Sequence, residues 1–486
     1  MIDLLNYTIC SGLGFPIFNK VVDKNKIPDN CFGAFVSVKR SQKLNKWPED
    51  IHGCIGNWDN NYKNLEKKRI VEIIGDVSYK ATNNDDRKNY FETIYKDAYS
   101  TYEIDFMLLP KYKITSNTGK FIKDKNTILF NNNEYGLIVS GNTRATYLPK
   151  VFEKENWESI KKKIEVKSGS RNVNNNFYAY EAKIISKQIY KIFNKQYLNN
   201  YLINYLIFIF NKYQDFVPYE YNKNNDEIIV NREQYVRNIA TIYDILIFNK
   251  KVKILDNKFF EKINRDLDYY VELYKKSNYQ EEMRQASAFL ILALNIVDKK
   301  KYKDSIETIS KNLYKNINIL EENFELCEVL IALNEVNPSK FRVKLLKQQK
   351  EIFDKLKQEK EGDNIFKYNW QSKFLYSLSK NKDIKTNKKA KERINEHRNL
   401  LLTKIIQKIL TFNEKTETNY LAVSIEALSS LLKINKSNKK KIMNNILYLF
   451  SELNKRYDID NGLYKFSSGS SRLDITGHVL NGLILF

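Results

Sequence analysis

The chain has 486 residues, of which 42% are hydrophobic and 29% charged, which excludes an intrinsically disordered protein and predicts a folded one. This length exceeds that of one typical domain and predicts at least two. The formal charge of +23 favours polyanionic partners, but short lysine runs occur throughout the chain without a basic tail, and an AT-rich genome would also enrich lysine.

Short segments with β-strand character alternate with helical segments in the first part of the chain. Alternation of apolar and polar residues predicts the strands, and apolar residues at helical spacing predict the helices. We therefore expect an α+β domain at residues 1–190, with a mixed sheet and flanking helices. The predicted strands lie at 31–40, 101–109, 134–140 and 176–185, and the predicted helices at 64–82 and 153–169.

The strand pattern ends near residue 190, and helical periodicity continues to the end of the chain. Several of these helices are rich in small and apolar residues, as a helix buried on most faces would be, and they alternate with amphipathic ones. This alternation favours a closed (α/α)6 toroid over an open solenoid for residues 191–486. About twelve helices are predicted, near 193–213, 232–249, 256–275, 281–298, 302–317, 320–335, 339–358, 367–380, 387–411, 418–434, 437–455 and 472–486.

The cysteines and the hydropathy of the chain indicate where the protein works. The four cysteines, at positions 10, 31, 54 and 327, show no paired spacing and no CxxC motif, which predicts a reducing compartment without a disulfide framework or structural zinc. The longest apolar run, residues 201–210, is too short to cross a bilayer, and no signal peptide is visible. We expect a soluble, cytoplasmic protein that contacts no membrane, and we predict no cofactor and no metal site.

One motif stands out in the first domain. Gly53-Cys54-Ile55-Gly56 lies in the second of six sequence blocks. These blocks follow one another in the order "FGAFVSVKR", "IHGCIGNW", "NDDRKNYF", "TYEIDFMLL", "YGLIVSGNTRATYLPKVF" and "FYAYEAKII". This order of blocks, over residues 30–185, resembles the AMMECR family, named after the AMME-syndrome chromosomal region. The resemblance implies a compact α+β domain, of unsettled activity, in which the GCIG strand lines a cleft and the "DDR" turn lies beside it.

Three interpretations of Cys54 remain open. As a nucleophile it would need an activating cation, for which Arg87 is the better candidate and His52 the nearest in sequence. As a pocket wall it would let a ligand approach the backbone between Gly53 and Gly56. As a structural residue it would be a small buried hydrophobe. In a regular strand His52 and Cys54 would share a face.

The second domain is similar to α/α toroids of the six-hairpin glycosidase, sugar epimerase and terpene-cyclase type. The segments that carry this resemblance are residues 233–248, 284–297 and 460–486. It implies a funnel at the N-terminal ends of the inner helices, in which aromatic rings hold a sugar and carboxylates transfer protons. The alternative is a structural role in helix capping and packing. The residues concerned are Glu426, Asp474 and His478 as catalytic candidates, Arg237, Arg284, Trp370, Tyr420 and Arg472 as ligand-binding candidates, and Glu282 and Tyr464 as further funnel residues.

These observations together lead to two hypotheses about function. The first is a small-molecule or glycan-processing protein of hydrolase or epimerase type, which uses the toroid funnel and the Cys54 cleft. The second is a non-enzymatic protein that binds nucleic acid or acidic partners weakly through its basic surface. The sequence contains no P-loop, G-x-G-x-x-G, H-E-x-x-H or G-x-S-x-G motif, which argues against the corresponding nucleotide-dependent and hydrolytic classes.

Overall fold

The computed structural model describes residues 1–18, 21–41, 51–59, 61–87, 94–140, 144–152, 155–169, 175–213, 216–277, 281–318, 324–359, 364–435, 437–466 and 470–486. The chain divides into two compact units, Met1–Ile192 and Phe193–Phe486. This division lies two residues after residue 190, where the sequence analysis places the end of the first domain.

The first unit combines helices with a six-stranded sheet, as expected for the predicted α+β class. The strand order is β2-β1-β3-β8-β6-β7, and the described neighbours pair antiparallel. The sequence predicts a mixed sheet, but side-chain alternation carries no information about strand direction. The elements are α1 (Leu4–Leu13), β1 (Cys31–Lys39), β2 (Ile51–Trp58), α2 (Lys67–Asn83), β3 (Thr101–Ile114), β4 (Lys120–Lys123), β5 (Asn126–Leu129), β6 (Gly136–Ser140), β7 (Arg144–Tyr147), α3 (Trp157–Lys167) and β8 (Asn176–Gln188).

Helix α1 and strands β4, β5 and β7 are absent from the sequence prediction. Helix α1 is buried along most of its length, so it lacks the polar stripe on which a periodicity argument depends. Its ends are nevertheless clear: the Asp3 side chain accepts hydrogen bonds from two backbone amides, and Gly14 ends the helix with a φ of 66°. The missed strands are four residues long, too short for alternation to be recognised.

The two faces of strand β1 have different neighbours. Val36 and Val38 are fully buried on the face where α2 packs against β1 and β2. Phe35 and Ser37 lie on the other face, because successive strand residues point to opposite sides. Cys54 pairs with Ser37 across the strand pair and therefore lies on this second face, which we call the Cys54 face.

His52 does not share the Cys54 face. The register between β1 and β2 pairs Val38 with Gly53 and Lys39 with Ile51, which leaves His52 as the extra residue of a β-bulge. Its Nε2 lies 3.1 Å from the carbonyl oxygen of Thr82, in α2. The bulge therefore overturns the expectation that His52 and Cys54 share a face.

The second unit is an α/α toroid, which confirms the predicted fold class. In the described part of this unit, an inner ring runs α5, α7, α9, α11, α14, α16 and back to α5, each helix packing on the next. The outer helices are α4, α6, α8, α10, α13 and α15. Their bounds are α4 Lys195–Lys212, α5 Tyr235–Val252, α6 Asn257–Lys276, α7 Glu281–Asp298, α8 Lys303–Asn316, α9 Phe324–Val336, α10 Pro338–Gln358, α11 Ile365–Lys380, a short α12 Lys382–Lys385, α13 Lys388–Leu410, α14 Thr418–Ile434, α15 Lys439–Asn454 and α16 Leu473–Leu483.

Inner and outer helices differ in burial as their sequences predict. Helix α14 buries an almost continuous run, 421–431, as an inner helix with neighbours on every side should. Helix α6 buries residues at helical spacing and keeps a charged face towards solvent. Short strands complete the unit: β9 (Glu220–Asn222), β10 (Glu227–Ile229), β11 (Tyr457–Asp458), β12 (Leu463–Tyr464) and β13 (Ser470–Arg472).

The described residues contain neither a membrane-spanning helix nor a cluster of metal-ligating side chains. No described helix is both long and apolar enough to cross a membrane. Within the same ranges, no group of three or more histidine, cysteine, aspartate or glutamate side chains is arranged to hold a metal ion.

Candidate functional site

Glu426 is the centre of a buried polar network in the toroid. It lies in the middle of α14 with 1% of its surface exposed. Asn369 Nδ2 donates to its Oε2 at 2.7 Å, and Lys373 Nζ donates to its Oε1 at 2.6 Å. His478 Nδ1 lies 2.8 Å from the same Oε2. Three inner helices, α11, α14 and α16, thus meet at one carboxylate, and we call these four residues the axial network.

The axial network holds its charges in a defined state. Burial alone would raise the pKa of Glu426, but the nearby Lys373 and His478 outweigh it and lower the pKa to about 2. Burial opposes the charge on His478 as well, yet the contact with Glu426 raises the pKa of the imidazole above its ordinary value. Near neutral pH the carboxylate of Glu426 is therefore ionised, next to Lys373 and to an imidazole that binds its proton more tightly than an ordinary histidine.

Asp244 is a second buried carboxyl group next to the network. Burial raises its pKa to about 6, although Asn481 Nδ2 donates to its Oδ1 at 2.9 Å. Gly477 on α16 allows this approach, since a Cβ there would lie 2.4 Å from Asp244 Oδ2. Asp244 and Glu426 thus have pKa values displaced in opposite directions, a pattern found where carboxyl groups take different roles in acid–base chemistry.

A cavity of about 280 Å3 opens beside the axial network. Glu426 and Lys373 form part of its wall, and the other lining residues come mainly from the C-terminal halves of inner helices. The sequence analysis places a funnel at the opposite, N-terminal ends of these helices. The lining residues are Tyr243, Ile247, Lys251, Ile331, Glu335, Lys373, Tyr376, Ser377, Lys380, Glu426, Ser430, Asn481, Ile484 and Leu485.

The charges along this cavity are only partly paired. Lys380 lies 3.8 Å from Glu335, and Ser377 Oγ donates to the same carboxylate at 3.1 Å. Among the described residues, Lys251 forms no ion pair, and its charge lowers the pKa of Lys433. Lys251 therefore supplies an uncompensated positive charge to the cavity.

Trp370 and Tyr420, two predicted ligand-binding residues, contact different parts of the toroid. Trp370 is 8% exposed, and its ring lies edge-on to His478 at 6.5 Å between centroids, close to the axial network. Lys373 Nζ lies 4.0 Å from the centre of the Trp370 ring. Tyr420 lies near the start of α14 and packs against Phe366 instead.

Asp474 belongs to a separate cluster of charges at the start of α16. Arg472 donates to both of its carboxylate oxygens, at 3.1 and 2.6 Å, and Arg237 lies 3.7 Å from Asp474 Oδ2. Both guanidinium groups also lie within 6 Å of the Tyr219 ring. The cluster is thus largely satisfied within the protein. The predicted Tyr464 is fully buried, and the predicted side chains of Arg284 and Glu282 lie outside the described residues.

The DDR turn holds the Cys54 segment of the first unit. The backbone amide of Cys54 donates to Asp85 Oδ2 at 2.9 Å, and Arg87 Nη2 donates to the Cys54 carbonyl at 3.2 Å. Arg87 also forms an ion pair with Asp85 at 2.7 Å. Ser37 Oγ lies 3.1 Å from the Cys54 sulfur, and burial raises the pKa of this thiol. Arg87 thus binds the backbone of Cys54, and the thiol is protonated at neutral pH.

The other predicted residues of this segment have packing contacts. Gly53 is required because a Cβ would lie 1.8 Å from the carbonyl oxygen of Ala81 in α2, and a Cβ at Gly56 would lie 2.2 Å from the Phe35 ring. His52 is 2% exposed, and burial together with Arg40 lowers its pKa to about 4. These contacts account for the two glycines without a ligand.

The described fold defines the two units as an α+β domain and an α/α toroid. Residues 15–185 match the AMMECR1 family model, so the first unit contains an AMMECR1 domain, and the predicted resemblance is confirmed. No curated protein sequence matches the chain.

Several solved structures resemble parts of the chain. An uncharacterised protein from Pyrococcus horikoshii is 16% identical, with 38% of this chain and 89% of that chain covered and a TM-score of 0.27. An unsaturated glucuronyl hydrolase from Streptococcus agalactiae is 10% identical, with 60% and 91% covered and a TM-score of 0.42. The α-1,6-mannanase GH76A of Salegentibacter sp. HEL1_6 is 10% identical, with 59% and 98% covered and a TM-score of 0.41.

Proposed function

We propose that the second unit binds a small acidic saccharide in the cavity beside the axial network. The observation that carries this proposal is a cavity that combines an ionised buried carboxylate, Glu426, with the uncompensated cation of Lys251. A ligand with hydroxyl groups and one anionic group would complement both. The volume of about 280 Å3 suits one or two sugar rings, since pockets for drug-sized ligands begin near roughly 300 Å3.

The lysines of the cavity supply the attraction for an anionic group. Lys251 has no described carboxylate partner, whereas Lys373 and Lys380 are paired with Glu426 and Glu335. A carboxylate or sulfate on the ligand would pair with Lys251, which is exposed at the rim of the cavity. A neutral sugar could not form this ion pair with Lys251.

The remaining wall suits the hydroxyl-bearing part of a sugar. The side-chain oxygen of the half-buried Asn481 can accept a hydrogen bond, since only its Nδ2 is used by Asp244, and the rings of Tyr243 and Tyr376 offer apolar surface. Burying sugar hydroxyl groups is favourable only where such partners are present. The C–H face of a sugar ring is apolar and packs favourably against an aromatic ring.

Processing of the bound saccharide would require proton transfer in addition to binding. Glu426, with a pKa of about 2, is a weak base and would instead stabilise positive charge that develops on a sugar ring. His478, whose pKa is raised by Glu426, is the candidate proton donor of the axial network. We extend the proposal to a hydrolase or epimerase reaction that uses Glu426 and His478. Asp474 lies one helical turn before His478 on α16.

The cleft around Cys54 and Arg87 remains a separate proposal within the first unit. The protonated thiol favours a pocket wall over a nucleophile, because the thiolate is the reactive form. Binding of nucleic acid or acidic proteins remains the alternative function, and it would depend on the overall charge of +23.

Isothermal titration of the full chain with glucuronate, and with glucose as its neutral counterpart, tests the proposal. We expect glucuronate to bind and glucose to bind at least about tenfold more weakly, because only glucuronate pairs with Lys251. Lys251→Met should reduce this preference, and Lys299→Met, an exposed lysine outside the cavity lining, should leave it unchanged. Release of nitrophenol from nitrophenyl glucuronide, lost in His478→Gln, would support the reaction.

Three results would contradict the proposal. Equal binding of glucose and glucuronate would show that Lys251 does not recognise the anionic group. An absence of binding would show that the cavity is not a saccharide site. Salt-sensitive binding of an oligonucleotide that neither Lys251→Met nor Glu426→Gln alters, without sugar binding, would favour the alternative function.

A further inference from the structure

Asp105 is a buried carboxyl group that forms no ion pair with any residue the structure describes. It lies in β3 with 2% of its surface exposed, and its Oδ2 has no hydrogen-bond partner within the described ranges. The neighbouring acid, Glu103, pairs with Lys39 at 2.5 Å and so uses the nearest cation. Burial raises the pKa of Asp105 to about 7. Buried polar groups without partners are rare in proteins and costly, so this one needs an explanation.

Asp105 lies on the same face of the sheet as Cys54. Across the strands, Asp105 pairs with Phe35 of β1, and Cys54 pairs with Ser37 two residues further along the same strand. Both therefore belong to the Cys54 face. The two side chains also interact electrostatically, because the charge of Asp105 contributes to the raised pKa of the Cys54 thiol. Trp58, a third residue of this face, has an Nε1 donor that also lacks a partner among the described residues.

Lys167 supplies a positive charge near Cys54, because it bonds to Thr146, whose hydroxyl lies 3.4 Å from that of Tyr180, and Tyr180 belongs to the core cluster against which Cys54 packs. Its Nζ donates to the carbonyl oxygen of Thr146 at 2.8 Å, and no carboxylate in the described part of the chain pairs with it. Desolvation lowers its pKa, and its charge acts on Cys54 in the sense opposite to that of Asp105. Arg87, which also acts on Cys54, is already neutralised by Asp85. Cys54 is thus near both an acid and a base that form no ion pair within the described ranges.

We infer that the Cys54 face of the first unit binds a free amino acid, with its ammonium group on Asp105 and its carboxylate on Lys167. A zwitterion of this kind neutralises both unpaired groups at once. A simple amine would leave Lys167 unpaired, and a simple carboxylic acid would leave Asp105 unpaired. The inference concerns the first unit and is independent of the saccharide proposed for the toroid.

The role of Cys54 in this site is to contact the ligand without reacting with it. A protonated thiol is a small, weakly polar surface that accepts the Cα region of an amino acid. The Ser37 hydroxyl fixes its orientation through the 3.1 Å contact with the sulfur. Substitution of Cys54 by serine should therefore weaken binding only slightly.

The experiment is a thermal-shift screen of the full chain against the standard amino acids, followed by isothermal titration of those that raise Tm. We expect at least one amino acid to bind, and neither its N-acetyl derivative nor its amide to do so. Asp105→Asn and Lys167→Met should each weaken the binding at least about tenfold, the loss expected for one buried charged contact. Lys163→Met, on the same helix but paired with Glu155, is the matched control and should bind normally.

The two substitutions keep the test decisive if one of them impairs folding. Lys167 is largely accessible, so Lys167→Met should retain the native circular dichroism spectrum even where Asp105→Asn does not. The inference is wrong if no amino acid raises Tm, if the N-acetyl derivative binds as well as the free amino acid, or if a folded Lys167→Met variant binds normally. Loss of glucuronate binding in the toroid would affect none of these results.

Discussion

Glu426 illustrates how a buried charge is retained when its partners are buried with it. Asn369, Lys373 and His478 give this carboxylate three hydrogen bonds within 2.8 Å, so that little of its bonding capacity remains unused. Such a network stabilises the fold only modestly, because the partners also lose their hydration. Removal of one member is much more damaging, since it leaves the other charges buried and unpaired.

We predict that Glu426→Gln lowers the free energy of unfolding by about 3–5 kcal/mol at pH 6, because it leaves the charges of Lys373 and His478 without a counterion. Urea denaturation followed by circular dichroism measures the change. Glu335→Gln, at the more exposed end of the cavity, is the control and should cost less than about 1 kcal/mol. Equal effects of the two substitutions would contradict the importance of burial.

The contribution of the axial network should also depend on pH. The folded pKa of Glu426, about 2, lies below its ordinary 4.5, so its stabilisation is present above pH 4.5 and lost as the pH falls towards 2. The folded pKa of His478 is raised above 6.5, so its stabilisation is present below pH 6.5 and lost as the pH rises through the folded value. The difference in unfolding free energy between wild type and Glu426→Gln should therefore be largest between pH 4.5 and 6.5. A difference that kept growing above this window would contradict the role of His478.

Asp105 should show the opposite pH dependence, because burial raises its pKa from 3.8 to about 7. Its contribution is fully present below pH 3.8 and is lost as the pH rises through 7. We predict that Asp105→Asn, measured without ligand, gains stability relative to wild type as the pH rises from 4 to 8, by an amount on the order of 4 kcal/mol at most. Glu103→Gln, which removes a paired acid on the same strand, should show a smaller gain, because the charge of Glu103 is only a secondary cause of the raised pKa of Asp105. A constant difference across this pH range would show that Asp105 has a partner in solution.

The sequence indicated some of these residues and missed others. Glu426 and His478 were candidates because the resemblance to α/α toroids implies a funnel with acid–base residues, and both lie in apolar helical segments. Asp244 carries a comparable signal, an acid within the apolar run "YDILIF", and could have been found in that way. Lys373 and Asn369 could not, since only packing distinguishes them from the many other lysines and asparagines of the chain.

Strand β2 shows how a single inserted residue changes an element. The bulge at His52 turns the imidazole towards α2, so the regular two-residue period of a strand fails at the motif. Gly53 then allows α2 to approach until the Ala81 carbonyl occupies the place of a Cβ. The glycine is thus explained by the packing of a helix on a strand.

We predict that Gly53→Ala destabilises the full chain by about 3 kcal/mol or more, because a Cβ 1.8 Å from the Ala81 carbonyl would push α2 away from β2. Gly75→Ala, within α2 itself, is the matched control. A Cβ there meets only the hydroxyl end of Tyr7, which can move, and alanine favours the helix by about 1 kcal/mol. Chemical denaturation should therefore separate the two variants clearly. A mild effect at Gly53 would mean that the helix and strand are less closely packed.

The helices of the second unit were predictable as elements because each has a long apolar period. For example, α6 was expected at 256–275 and lies at Asn257–Lys276. Strand β7, with four residues, and helix α1, buried on most faces, gave no such period. Element prediction therefore succeeded for the long helices, including α14, which is buried on almost every side, and failed for short elements and for the ten-residue buried helix α1.

Ring closure in the toroid depends on the last helix. Helix α16 packs on both α14 and α5 and so joins the two ends of the inner ring. Gly477 allows contact with Asp244 of α5, and Gly482 allows contact with Ile425 and Glu426 of α14, where a Cβ would lie within 3.2 Å of backbone or side-chain atoms. The sequence predicted paired helices and favoured closure, but only these contacts establish the closed ring.

Because these closing contacts all lie within one unit, we predict that residues 193–486 expressed alone fold cooperatively and bind glucuronate with the same affinity as the full chain. The fragment begins at Phe193, whose ring packs against Phe450 and Phe486 of the same unit. Differential scanning calorimetry and isothermal titration measure folding and binding. A shorter fragment that ends at Arg472 lacks α16 and should lose both cooperative unfolding and binding, since the ring is then open and His478 is missing. If the open fragment retained glucuronate binding, the saccharide site could not lie beside the axial network.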